Sequence, residues 1–162
     1  MNILNTNNFN EIVKQIKNIK EGPLVIQAQN EDFDRKVLEY GKFQTLLSPE
    51  SSAGKNKIRQ TDSGLNHVTA KIAAKNNISI GINLNEIKNL EKKEKAERLA
   101  KIKQNIKICR KAKTKLAILG ASEQESRELL LSLDASTHQT KEVIIYDVKV
   151  FHKPHTLMCG TL

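Results

Sequence analysis

Hydrophobic positions in this chain alternate between helical spacing and short β-branched runs. In the most regular stretch, Leu65, Val68 and Ile72 recur at helical spacing, and the apolar run ISIGINL follows them. The same succession of a helix and a buried strand occurs on both sides of this stretch. We predict helices after Asn8 and over 31–40, 96–112 and 123–133, and five strands at LVIQA, FQTLL, ISIGINL, 116–119 and 142–151.

Strict alternation of helix and strand predicts a parallel sheet joined by right-handed crossovers. A closed eight-stranded barrel usually needs about 200 residues or more, so five strands fit either an open sheet or a partial barrel. We assign residues 1–151 to one domain and residues 152–162 to a flexible C-terminal tail.

Two helices have details that the pattern also predicts. In the central helix, Val68 should point inward, and Asp62 and Ser63 should cap the first turn. In the helix at 96–112, the inward stripe is Leu99, Ile102, Ile106 and Cys109, after a break near 90–95. Ile108 falls on the polar side of this helix, either by chance or because a partner covers it.

The composition is that of a soluble globular domain, with 38% hydrophobic and 28% charged residues. No apolar run approaches the roughly 20 residues that a membrane span needs, and the first residues resemble neither a leader nor a signal segment. Two cysteines are too few for a disulfide framework, in agreement with a reducing compartment. We therefore expect a cytoplasmic protein that does not contact a membrane.

The net charge of +9 is concentrated in one stretch of the chain. Residues 88–115 contain 12 Lys and Arg against three acidic residues, whereas the rest of the chain contains 15 basic and 15 acidic residues. A localised positive field of this kind attracts a polyanion such as RNA, DNA or an anionic surface. The alternative is an ordinary lysine-rich helix face in contact with water.

Motifs for catalysis are absent from the sequence. It contains neither G-x-S-x-G nor G-x-G-x-x-G, and SSAGKNK lacks the spacing of a phosphate-binding loop. His152, His155 and Cys159 form an incomplete set of zinc ligands in the terminal tail. We therefore predict no catalytic residue and no metal ligand.

Basic side chains next to polar loops are the remaining candidates for a functional surface. Because only 4% of the residues are aromatic, base stacking is disfavoured, and we expect recognition of the shape and backbone of folded RNA. For Arg35, an ion pair with Glu31 or Glu39 on its own helix is equally compatible. The candidate phosphate-binding residues are Arg35, Lys55, Lys57, Arg59, Lys71, Arg98, Lys103, Lys107, Arg110 and Lys111.

Three segments resemble a known family. DSGLNHVTAKIAAKNNISIGINL is similar to the family signature, and GPLVIQAQNEDFDRKVLEYGKFQTLLSPE to its strand, helix and strand, with Asp34, Arg35 and Glu39 at the matching places. EKAERLAKIKQNIKICRKAKTKLAILGAS is similar to its long basic helix and following strand. The resemblance covers about 22–133, and the family is archaeal ribonuclease P protein component 3, related to the thirty-kilodalton subunit of RNase P and RNase MRP.

The resemblance implies a TIM-barrel-like α/β fold, a parallel β/α fold related to metal-dependent phosphoesterases but without their metal site. Members usually begin with further strand–helix units, whereas here we expect only one helix before LVIQA. The resemblance therefore suggests an N-terminally shortened partial barrel.

The resemblance also implies a function in ribonuclease P, the ribonucleoprotein that removes the 5′ leader of precursor tRNA. In that enzyme the RNA subunit performs catalysis with magnesium, so the chain alone should be inactive and bind no cofactor. The implied partners are the RNase P RNA, a second small subunit of the component 2 type and, indirectly, precursor tRNA. Asn66 and His67 would contact RNA or simply complete a helix start, with capping favoured for Asn66.

Two other functions fit the residues and are kept as alternatives. The first is a metal-dependent phosphoesterase of the related barrel type, which the lack of a histidine–carboxylate cluster disfavours. The second is a non-catalytic scaffold that docks another protein through its basic helix.

Overall fold

The computed structural model describes residues 1–52 and 62–146, and a parallel sheet lies at the centre of this part of the chain. The strands follow one another in the sheet in the order of the sequence, and every neighbouring pair is parallel. Their bounds are β1 Asn2–Leu4, β2 Leu24–Gln27, β3 Thr45–Leu47, β4 Ser79–Asn83, β5 Leu116–Leu119 and β6 Ile144–Tyr146.

Helices connect all of the strands. Because parallel crossovers are right-handed and the strand order never reverses, the connecting helices lie on one face of the sheet. The sheet curls into a half-barrel with the helices outside, which confirms the predicted parallel β/α partial barrel. The helices are α1 Phe9–Asn18, α2 Glu31–Tyr40, α3 Pro49–Ser52, α4 His67–Lys75, α5 Leu84–Lys88, α6 Lys92–Ala112, α7 Glu123–Ser132 and α8 Thr137–Lys141.

The main hydrophobic core lies between the sheet and the helices. Ile26, Ile80 and Ile118 from the sheet are at most 1% exposed, as are Val37 and Ile106 from the helices. Burying one such side chain stabilises the fold by about 1.5–3 kcal/mol. This layer therefore fixes the helices, and with them any residue on their outer surface.

The inner face of the half-barrel has a smaller apolar cluster and a polar bridge. Val25, Leu47 and Leu119 pack together there. The hydroxyl group of Thr45 lies 2.7 Å from that of Ser79 and 2.8 Å from that of Tyr146. These hydrogen bonds connect β6 to β3 and β4 across the concave face.

The N-terminal part differs from the expectation of a single helix before LVIQA. The residues of β1 precede α1 and pair in parallel with β2. A strand of three residues gives little alternation, and its central Ile3 is 45% exposed, so the pattern did not predict it. The short helices α3 and α8 were also not predicted. For the last predicted strand, 142–151, the structure shows 144–146, and residues from 147 onward lie outside the described ones.

Helix α4 differs from the prediction in its buried side. Thr69, Ala70 and Ala73 are buried, whereas Val68 is 56% exposed. The helix begins at His67 after the cap residue Asn66, not at the predicted Asp62 and Ser63. Since α4 packs between α2 and α6, small residues suit its buried side better than valine does.

Helix α6 agrees with most of its predicted pattern. Ile102, Ile106 and Cys109 are fully buried and Leu99 is half-buried, while the break before the helix falls at residues 89–91. Ile108 is half-buried and packs against the core, so both explanations that assumed its exposure were wrong. Helical position alone could not place it, because neighbouring helices cover more than the central stripe.

Candidate nucleic-acid interface

The candidate binding residues that the structure describes lie on the outer helical layer. Helices α2, α4 and α6 are adjacent, because α4 packs against both of the others. Arg35 is on α2, Asn66 caps α4, and His67 and Lys71 lie on α4. Lys55, Lys57 and Arg59 lie outside the described residues, as do His152, His155, Cys159 and the rest of the predicted tail.

Helix α6 is the longest element of this layer. Its 21 residues extend about 30 Å, at 1.5 Å per residue. One side of the helix packs against the core. The opposite surface bears exposed cations, which are Lys92, Lys93, Lys107, Arg110 and Lys111. We call these five residues the α6 cation row.

Other basic residues in and near α6 contact carboxylates. The Lys103 Nζ atom lies 2.6 Å from Asp134 Oδ2, and this contact lowers the pKa of Asp134. Lys88 lies 3.8 Å from Glu125 in a looser pair. Part of the charge counted in the sequence is therefore already neutralised, and Lys103 is less available to a ligand than the α6 cation row.

Arg98 points toward the protein and not toward solvent. Its side chain is 19% exposed, and its Nη1 atom lies 4.0 Å from Glu86 Oε2. Its charge also acts on Glu50, which is 2% exposed and whose pKa burial raises to about 7. Arg98 therefore supports a buried charge cluster, and contact between it and RNA stays a prediction.

The candidates on α2 and α4 are divided between structural and exposed positions. Arg35 donates from Nε to Glu39 Oε1 at 2.9 Å, so the ion-pair alternative is present in the structure. With both side chains at least half exposed, that pair is weak and can be exchanged for another anion.

Asn66 forms the predicted cap of α4. Its side chain accepts from the Thr69 backbone at 2.9 Å and donates to Glu31 at 2.8 Å. His67 and Lys71 are exposed. For Arg35, Asn66, His67 and Lys71, contact with RNA stays a prediction.

Residues 1–52 and 62–146 offer few side chains for metal or nucleophile chemistry. No group of three or more His, Cys, Asp or Glu in that part could hold a metal ion. Cys109 is buried, and burial raises the pKa of its thiol to about 12. No helix of the same part is long and apolar enough to cross a membrane.

Sequence reasoning missed two kinds of residue in this region. Asp134, which holds Lys103, lies 31 positions further along the chain and is brought close only by the fold. Lys113 and Lys115 follow the last turn of α6. The charge count included them, but the helical pattern ended at Ala112.

These features define a class of protein: a parallel β/α half-barrel whose excess positive charge lies on one outer helix. In sequence, the chain is similar to ribonuclease P protein component 3 of Methanococcus vannielii, with 28% identity over 114 residues, which is 70% of this chain and 46% of that protein. It is also similar to the same component of Methanococcus maripaludis strain C7, with 26% identity over 123 residues, 74% of this chain and 50% of that protein.

The fold of the chain is also similar to that of a solved structure. A chain in the cryo-EM structure of archaeal ribonuclease P with mature tRNA matches with a TM-score of 0.69 and 21% identity, over 86% of this chain and 62% of that one. No protein-family model matches the chain. The resemblance to ribonuclease P protein component 3 is thus confirmed, and the chain spans about half the length of the curated relatives it matches.

Proposed function

We propose that this chain is an RNA-binding protein subunit of ribonuclease P and assists the removal of the 5′ leader from precursor tRNA. One observation supports this function above the others. In a chain that resembles ribonuclease P protein component 3, the α6 cation row lies on the outer surface of the half-barrel, where folded RNA can reach it.

The expected mode of binding is contact with the RNA backbone. Lysine and arginine side chains pair with phosphate oxygens and release condensed counterions, which supplies most of the affinity. By neutralising phosphates on neighbouring strands, the protein would let the RNA reach its folded form at a lower magnesium concentration. Cleavage is assigned to the RNA subunit with its magnesium, and the chain needs no cofactor of its own.

The proposal includes the partners and the compartment. The direct partners are the RNase P RNA and a second small protein subunit of the component 2 type, and precursor tRNA is contacted indirectly. The proposed location is the cytoplasm. The outer face of the helical layer is the surface assigned to RNA, so the second subunit would use a different part of the molecule.

The test is cleavage of a precursor tRNA by the cognate RNase P RNA at low magnesium, with and without this chain and its small partner subunit. We expect the wild-type chain to raise the cleavage rate at least tenfold. Replacing Lys93, Lys107 and Lys111 by Gln should remove most of this gain, because these side chains project from the exposed side of α6.

The matched control replaces three exposed lysines of α1 and α2, Lys14, Lys17 and Lys36, by Gln. It lowers the net charge by the same amount and should change the rate less than twofold. If the wild-type chain has no effect while folded and paired, the proposed function is wrong. If the α6 variant still binds RNA and stimulates cleavage fully, the scaffold alternative is favoured.

A further inference from the structure

A groove of about 460 Å³ lies where α6 ends and β5 begins. The last turn of α6 forms one wall, the segment that leads into β5 forms the floor, and α8 forms the opposite wall. Its volume falls in the range of known ligand sites, about 300–1,000 Å³. The groove is therefore large enough for a small part of a larger ligand.

Three of the ten residues that line this groove are Lys or Arg. Arg110, Lys113 and Lys115 line it, and all three are exposed. Within residues 1–52 and 62–146, none of them lies within 4.0 Å of a carboxylate oxygen, in contrast to Lys103. The acidic residue in the lining, Glu142, lies 3.4 Å from Nδ1 of His138 on the same wall.

The uncharged polar groups of the groove already have partners. The Ser136 hydroxyl accepts from the Gln139 backbone, and the Gln139 side chain donates to the Ile106 carbonyl at 3.0 Å. The Thr114 hydroxyl donates to the Ala70 carbonyl at 2.8 Å. Recognition in this groove must therefore come from the cations, which selects an anionic ligand.

The C-terminal end of a helix normally disfavours an anion, because its free carbonyl groups are partially negative. Here two of the last four carbonyls of α6 are hydrogen-bonded: the Thr114 N–H donates to Cys109 at 2.9 Å, and the Lys113 N–H donates to Arg110. Lys113 has φ of 60°, the left-handed cap conformation that permits this closure. The capped helix end leaves the positive side chains as the main local field.

We propose that this groove binds phosphate groups of an RNA backbone, with Arg110, Lys113 and Lys115 pairing with phosphodiester oxygens. The inference rests on the proposed function and extends it, because it identifies a particular point of contact beside the α6 cation row. No Phe, Tyr or Trp side chain lines the groove, and Nδ1 of its one imidazole, His138, lies 3.4 Å from Glu142 Oε2. The groove therefore reads the backbone and not the sequence of the RNA.

The experiment measures binding of the full-length chain to a fluorescently labelled 20-base-pair RNA hairpin at several KCl concentrations. In the test variant, Lys113 and Lys115 are both replaced by Gln. The matched control replaces Lys14 and Lys17 of α1 by Gln, which removes the same charge from exposed positions outside both the groove and the α6 cation row. We expect the affinity of the test variant for the hairpin to fall about tenfold or more, and its salt slope to decrease by the equivalent of about two phosphate contacts. The affinity of the control should fall less than threefold.

A charge-preserving variant with Arg at both positions should restore binding. A further arm adds inorganic phosphate at constant ionic strength. If phosphate displaces the RNA from the wild-type chain but not from the test variant, the groove accepts an isolated phosphate. If phosphate displaces no RNA, the groove needs the polymer. Both outcomes support the proposal, provided that the test variant binds RNA weakly.

Two results would contradict the inference in different ways. Equal losses in the test and control variants would show that only the overall field matters, while the proposed RNA-binding function would stand. If the wild-type chain fails to bind the hairpin at 50 mM KCl, the groove proposal and the RNA-binding function fail together. Thermal unfolding of each variant checks that the exposed substitutions leave the fold intact.

Discussion

Glu50 is a buried carboxyl group just after the carboxyl end of β3. It is 2% exposed, and no hydrogen-bond partner of its Oε1 atom is present within the described part of the chain. Desolvation raises its pKa to about 7, although the nearby charge of Arg98 acts in the opposite direction. Near neutral pH this residue therefore gains a charge inside the protein.

The titration of Glu50 should make the protein less stable as pH rises. The folded state keeps the proton up to about pH 7, whereas the unfolded state releases it near 4.5, so the folded state binds more protons between these values. The free energy of unfolding should then fall across that window, by on the order of 3 kcal/mol. In Glu50→Gln the decline should shrink by about this amount, and the part that remains should come from Asp34, whose pKa burial also raises to about 7. Urea unfolding of both proteins at pH 5 and pH 8 will measure the difference.

Glu125 provides a control of opposite sign. Hydrogen bonds from Ser122 at the start of α7 lower the pKa of this exposed carboxyl group. The stability that Glu125 contributes is present above the pKa of the unfolded state and disappears as pH falls. Glu125→Gln should therefore cost stability at pH 8 and less at pH 3.

For the Glu50 prediction, parallel pH profiles of the free energy of unfolding for wild type and Glu50→Gln would show that Glu50 is solvated and that the argument from burial is wrong.

At the scale of elements, local chemistry made some helix starts predictable from sequence. Asn8 accepts from the backbones of Asn10 and Glu11, as a cap residue before a helical pattern should. The cap at Asn66 was likewise the favoured role for that residue. Such features depend on neighbours three or four positions away, which a sequence displays directly.

Features that depend on distant neighbours could not be predicted in the same way. Val68 is exposed because Ala70 and Ala73 fit between α2 and α6, and that contact exists only in the folded chain. Ile108 is half-buried against the main core, which is also a feature of the folded chain. In the candidate site, the exposure of Lys107 followed from helical spacing, but the contact between Lys103 and Asp134 did not.

Helix α6 has a weak start, which gives a prediction at this scale. Its cap residue is Glu91, whose side chain makes no capping hydrogen bond, and Lys92 and Lys93 lie at the positive end of the helix dipole. Glu91→Asp keeps the charge and brings a carboxylate within reach of the free backbone amides. The free energy of unfolding should rise by about 0.5–1 kcal/mol in urea titrations.

The control for this prediction is the same substitution one turn later. Glu94 lies in the first turn of α6 but is not its cap. Glu94→Asp offers no capping geometry and has a slightly lower helix propensity, so no gain is expected. An equal gain from both substitutions would mean that a shorter acidic side chain anywhere in the first turn stabilises α6, and that the cap position has no special effect.

At the scale of the whole molecule, the residues that form the core are separate from the residues that carry the excess charge. The core between sheet and helices is built mainly from aliphatic residues of β2 to β5 and of α1, α2 and α4 to α7, whereas the excess of positive charge belongs to residues 88–115. Since the remaining residues balance to zero, the net positive charge of the protein equals that of the stretch that contains α6. An RNA that approaches from a distance is therefore oriented toward α6 before any short-range contact forms.

This separation predicts a steep dependence of RNA binding on salt. If the five residues of the α6 cation row each neutralise one phosphate, log K should fall with log [KCl] with a slope of about −4, because each contact contributes about −0.7 to −0.9. Raising KCl from 50 to 200 mM should then weaken binding on the order of 100-fold, as measured by fluorescence anisotropy with folded RNA. The slope should flatten in the Lys93, Lys107 and Lys111 variant and stay unchanged in the Lys14, Lys17 and Lys36 control. An affinity that is constant over this range would mean that α6 does not bind RNA through phosphate contacts, and the basic helix would have to serve another purpose.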